Sequence, residues 1–250
     1  MAPAAKDPTG KEGRVSTTRS LTNGTDKPSG PRSRKGVETR ARLVAAAKEV
    51  FEQDGFLDAR ISDIAEHAGL SHGSFYHYFD SKEEVFREVA LEVDESLTAP
   101  MDVILDPTSS ATPYERIHEG MRLHLESYRK EARIMGVIEQ VSRFDSEVGS
   151  ARFERHREYN SWVTNSIRSL QRHGQIDERL DPVIAAAALG SMTYRFPEMW
   201  FVQGMIDVDF DEVVDQLTLL FVRALGLPEP PEEDSPRLTA TNEAAGSQSG

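Results

Sequence analysis

The stretch "SHGSFYHYFDSK", Ser71 to Lys82, concentrates side chains that can both stack and hydrogen-bond. Phe75, Tyr76, His77, Tyr78 and Phe79 are five consecutive rings, counting the imidazole. At about 100° per residue, Phe75 and Phe79 share one helical face, with Tyr78 beside them. Gly73, Tyr76 and His77 project the other way, and Ser74 lies on the flank. A buried helix has use for the first set only. The second set needs a polar partner, and a helix laid in a major groove supplies one: phenol and imidazole tips reach phosphates and base edges. Gly73 lets backbone approach backbone. Ser71 to Ser74 form a helix start, where free N–H groups and the helix dipole favour phosphate. The competing reading is an aromatic helix buried entirely within an all-α core.

The neighbouring elements decide how such a helix would be held. Leu43, Val44, Ala47, Val50 and Phe51 recur at three- and four-residue steps, which predicts an amphipathic helix ended by Gly55. Ile61, Ile64, Ala65 and Ala68 form a second, shorter stripe stopped by Gly69. Ser71 stands at an N-cap position for the aromatic helix, and Ser81 with Glu84 has capping-box spacing for the next. Residues 61–79 thus read as helix, tight glycine turn, helix.

The whole composition narrows the alternatives. The chain has 250 residues, 38% hydrophobic and 28% charged, and no cysteine. Disulfides, thiol chemistry and cysteine-ligated zinc are therefore excluded. No window is long and apolar enough for a membrane span, and no signal-peptide core is visible, so a cytoplasmic location and no membrane partner are expected. No GxSxG, P-loop, HExxH or GxGxxG fingerprint appears, and none of the seven histidines pairs with another at i, i+4. An enzyme is not expected, nor a cofactor. The net charge of −13 is divided unevenly: residues 1–42 hold ten Lys or Arg against four acids. A basic front on an acidic body suits a polyanion bound at one end only.

Taken in order, "TRARLVAAAKEVFEQDGFLDARISDIAEHAGLSHGSFYHYFDSKEEVF" strongly resembles the DNA-binding domain of the TetR/AcrR family of bacterial transcriptional regulators. Gly55-Phe56, Asp63-Ile64-Ala65, Ala68-Gly69, Ser71, Gly73, Tyr76, Tyr78-Phe79 and Lys82 carry the match, over residues 36 to about 97. The resemblance implies an all-α fold: a three-helix helix-turn-helix head on a helical ligand-binding and dimerisation body, working as a homodimer. It implies phosphate contacts from Tyr76, Tyr78, Lys82 and Arg40, and base-edge contacts near His72 and Gly73. Ser62, Ser71, Ser74 and His77 complete the expected DNA surface. Arg60 departs from the family's usual Thr at the start of the second helix; either Asp58 or Ser62 caps instead, or Arg60 adds a DNA contact.

Outside the head, periodicity alone guides the reading. Residues 1–35, rich in Pro, Gly, Ser and Lys, read as a disordered basic tail, either solubilising or adding DNA contacts; 228–250 reads as a disordered acidic tail. Between them, 98–227 reads as the body. Its expected helices start at Pro113, run as a short piece around 134–141, extend over 150–173, open at Pro182 with a kink or break at Pro197, and close over 210–225 before Gly226. The run "AAAALGSM" permits close helix approach, either in a dimer interface, as the resemblance implies, or inside one subunit. Met121, Tyr128, Met135, Trp162, Met192, Phe196 and Trp200 are either core or the wall of an effector pocket, with His124, Asn165, Tyr194 and Arg195 as its polar candidates. The reading is a ligand-responsive DNA-binding regulator: a repressor that binds a palindromic double-stranded operator as a homodimer and is released by a small apolar effector. The rival is an all-α adaptor with a helix-turn-helix shape and no DNA affinity.

Overall fold

In the computed structural model, residues 33–98, 104 and 109–229 are described, and all belong to one compact unit. Of the tail readings, 1–35 and 228–250, residues 1–32 and 230–250 lie outside them, whereas Arg34 and Lys35, read as tail, open the first helix. Every regular element among the described residues is helical. Here α1 is Arg34–Asp58, α2 Ile61–His67, α3 His72–Phe75, α4 Lys82–Thr98, α5 Pro113–Val141, α6 Ser146–Arg172, α7 Pro182–Pro197 and α8 Phe210–Leu225. None is long and apolar enough to cross a membrane.

The head forms because its apolar stripes converge. Leu43, Ala47 and Phe51 of α1, Ile64 and Ala65 of α2, Phe75 of α3, Phe79 beyond it, and Val85 and Phe86 of α4 are all fully buried. Phe51 meets Phe86 edge-on at 5.0 Å between ring centroids, and Phe56 meets Phe86 at 4.9 Å. Phe56 reaches that cluster because the chain kinks at Gly55, whose φ of 73° is open to glycine at little cost. Gly55 therefore bends α1 without ending it; helical bonding resumes to Asp58. Gly69, at φ 66°, closes α2 and turns the chain into α3.

Two expectations for the body change. The pieces expected near 113 and 134 are a single 29-residue helix, about 44 Å long. Residues 126–133 interrupt the apolar stripe, yet Glu, Arg, Lys and Ala are strong helix formers and nothing there breaks the helix. The following helix starts at Ser146, because Asp145 caps it by accepting from the Glu147 and Val148 amides at 2.9 and 3.0 Å. Gly149 then sits inside the first turns, where a Cβ would lie 2.8 Å from the Ser142 carbonyl oxygen.

Asp181 and Pro182 open α7 as expected. At Pro197 the regular α-helix breaks, as expected, and the chain widens into a π-turn over Glu198–Val202, closed by Gln203 N–H donating to Glu198 O at 3.0 Å. The small-residue run divides its faces. Ala187, Ala188 and Ser191 are exposed, while Gly190 is buried against α6 of the same chain. A Cβ on Gly190 would stand 2.3 Å from Asn160 Oδ1 and 3.6 Å from the Tyr159 ring. Close packing inside one subunit, the second of the two sequence readings, holds at this position.

Gly190→Leu is therefore expected to destabilise the subunit itself by about 1–3 kcal/mol, through overpacking against α6. Urea unfolding should show the loss at every protein concentration tested; a loss confined to dilute protein would place Gly190 between subunits instead.

Candidate nucleic-acid interface and ligand cavity

The aromatic run sorts as its periodicity requires. Phe75 and Phe79 are buried, and Tyr78 is half-buried against the head core. Tyr76 is 47% exposed, and His72, Gly73 and His77 are exposed with it. Tyr76 and His72 meet edge-on at 5.3 Å, so two polar-tipped rings stand together on the outer side of α3. The helix start is pinned by Ser71, whose hydroxyl accepts from the Ser74 amide at 3.3 Å and lies 2.8 Å from the Ser74 hydroxyl. Ser62 and Arg60 are exposed at the start of α2. Arg60 itself occupies the N-cap position with no side-chain cap, so neither Asp58 nor Ser62 takes that role; Ser62 bonds Asp63 at 3.0 Å.

Two residues assigned to phosphate have other partners. Lys82 Nζ donates to the carbonyls of Phe56, Leu57 and Ala59 at 2.6, 3.1 and 2.9 Å. An ammonium has three N–H donors, and these three carbonyls at the end of α1 engage them all. Lys82 thus ties the start of α4 to the kinked end of α1. Arg40 pairs with Glu88 of α4, and its guanidinium lies 4.4 Å over the Phe79 ring. Burial pulls its guanidinium below the ordinary arginine value, with Glu84 and Glu92 opposing. Both cations brace the head from within and are not presented as free phosphate ligands.

In the body, α5, α6, α7 and α8 enclose a cavity of about 330 Å³. That lies at the small end of the range for drug-sized ligands. Of the expected pocket residues, Met121, His124 and Trp162 line it. Tyr128, Met135 and Tyr194 line a smaller neighbouring cavity. The others are placed elsewhere. Asn165 is exposed and bonds Arg168, and Arg195 is exposed and pairs with Glu198. Met192, Phe196 and Trp200 pack on the apolar core, with Trp200 stacked on Phe201 at 4.2 Å and on Phe210 at 5.9 Å. The sequence reading missed Tyr159, Ser166, Leu189, Thr193 and Phe221 as cavity walls. For α6 the signal was present: Tyr159, Trp162, Val163, Ser166 and Leu170 recur at three- and four-residue steps. Burial pushes the Tyr159 phenol up to about 12, so it is a neutral hydrogen-bonding group.

His124 joins the cavity to the head. Its Nδ1 lies 3.1 Å from the Leu97 carbonyl in the last turn of α4, and its Nε2 3.2 Å from the Thr193 carbonyl of α7. The Thr193 carbonyl lacks an ordinary helical partner, because the residue four beyond it is Pro197, which has no N–H. A neutral imidazole carries one N–H and so satisfies one of the two; an imidazolium would satisfy both. Burial disfavours that charge, and it outweighs the two carbonyls in lowering the His124 pKa.

Among the described residues no group of three His, Asp or Glu side chains is placed to hold a metal ion. Residues 43–89 match the model of the "Bacterial regulatory proteins, tetR family". An uncharacterised HTH-type regulator of Bacillus subtilis, YdgC, is 51% identical over 55 residues, covering 22% of this chain and 28% of that one. The HTH-type transcriptional regulator UidR of Escherichia coli K12 is 24% identical over 163 residues, 62% of this chain and 78% of that one. Beyond the head the likeness is one of fold. The structure of Salmonella enterica GusR superposes with a TM-score of 0.62 at 19% identity, covering 78% of this chain and all of that one.

Lys82→Met, which keeps the aliphatic stem and removes the ammonium, is expected to cost the head about 1–3 kcal/mol, discounted for partial exposure. An unchanged urea midpoint would show that the three carbonyls do not depend on it. The His124 pKa is lower folded than unfolded, so the unfolded chain binds the extra proton first as pH falls. Stability from this group is complete above about pH 6.5 and declines below it. The urea midpoint of His124→Gln should fall less between pH 7 and pH 5 than that of the wild type.

Proposed function

We propose that the chain is a regulator of the TetR family, that it binds double-stranded operator DNA as a homodimer and that it is released by a small effector. The observation that carries the DNA reading is the division of α3. Phe75 of the helix and Phe79 of the turn that follows are buried, which fixes both, and His72, Gly73, Tyr76 and His77 are left outward on the same short stretch. A rigidly held helix with polar tips outward suits base-edge and phosphate contact in a major groove. An adaptor without DNA affinity has no use for that arrangement. On this reading residues 36–97 form the DNA-binding domain and 98–227 the effector and dimer domain.

The dimer face is proposed on α7 and α8. Ile184 is 70% and Leu220 53% exposed, and Ala187, Ala188 and Ser191 continue the α7 stripe. Two such faces of small and apolar residues allow helices of two subunits to approach closely. Two recognition helices then meet two half-sites, which makes the operator pseudo-palindromic and its spacing a property of the dimer. Release follows from His124, a wall of the larger cavity bonded to the last turn of α4. A ligand that moves His124 changes how α4, and the head it carries, is held. The effector therefore binds the DNA-free form more tightly, since coupling is reciprocal.

Fluorescence anisotropy with genomic fragments upstream of the chain's own coding region tests the reading. Specific binding should weaken steeply with salt. His72→Ala or Tyr76→Ala should cost about 1–3 kcal/mol and relax sequence preference, with the fold intact. Binding that is insensitive both to salt and to these changes removes α3 from the interface.

A further inference from the structure

The smaller cavity, of about 40 Å³, has more charged and titratable side chains in its lining than the larger one. Asp94 of α4, Tyr128 of α5, Arg152, Arg155 and His156 of α6, and Tyr194 of α7 line it. Two of its donors are buried with no acceptor: Arg152 Nη1 and the Tyr194 hydroxyl. The other amino group of Arg152 pairs with Glu139 at 3.2 Å, which fixes the guanidinium. The Tyr194 ring is stacked on His156 at 3.9 Å, which fixes the phenol. Burial, reinforced by Arg152, lowers the His156 pKa and keeps that imidazole neutral. Asp94 contributes the lining carboxylate; burial holds it above the usual carboxylate range against the pull of Arg152 and Arg155.

Buried donors without acceptors are costly and so are rare without a reason. Here two of them, on rigid side chains, belong to residues that line the same small space. A carboxylate offers two oxygens to an N–H and an O–H, and its charge suits two guanidinium groups. His124, Tyr159 and Thr193 line both cavities, so the polar space adjoins the apolar one across a wall of three residues.

We propose that the small cavity seats the carboxylate of the effector, bound by Arg152 and Tyr194 in competition with Asp94, while the effector's apolar remainder fills the larger cavity. This rests on the ligand-responsive reading above and adds the chemical class: a small amphipathic carboxylic acid. The competition gives the acid its leverage. Asp94 projects from α4, so a ligand carboxylate that takes over Arg152 deprives α4 of its countercharge in the body.

Decanoate and decanol share an apolar tail and differ at the head, and calorimetric titration of each into the full chain separates tail from seat. Wild type should bind decanoate at least about tenfold more tightly than decanol. Tyr194→Phe, which keeps the ring against His156, should weaken decanoate about fivefold and leave decanol unchanged. Arg152→Gln should abolish the preference, and Asp94→Asn should strengthen decanoate alone. Equal affinities in the wild type, as a space holding only water would give, overturn the seat and leave an effector in the larger cavity standing. A preference that survives both Arg152→Gln and Tyr194→Phe overturns it too. If the folded protein binds neither compound the seat is again overturned, whereas operator binding in the same preparation decides the regulatory reading separately.

Discussion

One imidazole bridges the last helix of the head to the body from the inside. His124 lies between the Leu97 carbonyl in the last turn of α4 and the Thr193 carbonyl left open by Pro197. α7 cannot satisfy the Thr193 carbonyl itself, so a side chain from α5 bridges α7 to α4. A neutral ring has one N–H and donates to only one of the two carbonyls at a time.

The head, by contrast, is over-determined. The Phe51, Phe56 and Phe86 rings interlock, Lys82 binds three carbonyls at the end of α1, and Arg40 pairs across to Glu88 while covering Phe79. The same cations that a sequence reading sends outward to phosphate are used to hold α1 and α4 together. The outer side of α3 is then free to differ in chemistry from everything behind it.

The helix-turn-helix was legible because its signals are local: Gly69 and Ser71 mark the turn, and periodicity alone separates Phe75 and Phe79 from Tyr76 and His77. The partners of Lys82 and Arg40 lie far away in sequence, and no spacing rule reaches them. The single length of α5 was obscured by the charged stretch 126–133, which thins the apolar stripe to Tyr128 and Ala132 without removing the helix. Core and cavity positions share one helical spacing, so Phe196 and Trp200 could not be told from Met121 and Trp162. Thr193 was invisible for another reason: its carbonyl matters, and only through a proline four residues later. The run "AAAALGSM" signalled close approach on both faces of α7, but not which face, and Gly190 belongs to the inner one.

The length of α5 sets what can be inherited or exchanged as a unit. Its second half, with Tyr128, Ile134 and Ile138, belongs to the same apolar cluster as Leu43, Phe51 and Val89 of the head, whereas Ile117, Met121 and Leu125 of its first half belong to the other cluster. The segment recognisable by sequence, residues 43–89, is thus smaller than the segment that buries its own surface. A head transplanted onto another body at the boundary its sequence suggests would arrive with a face of its core uncovered. Recombination between chains of this fold is then constrained to carry half of this helix along, so that the head and the cavity behind it are not freely shuffled.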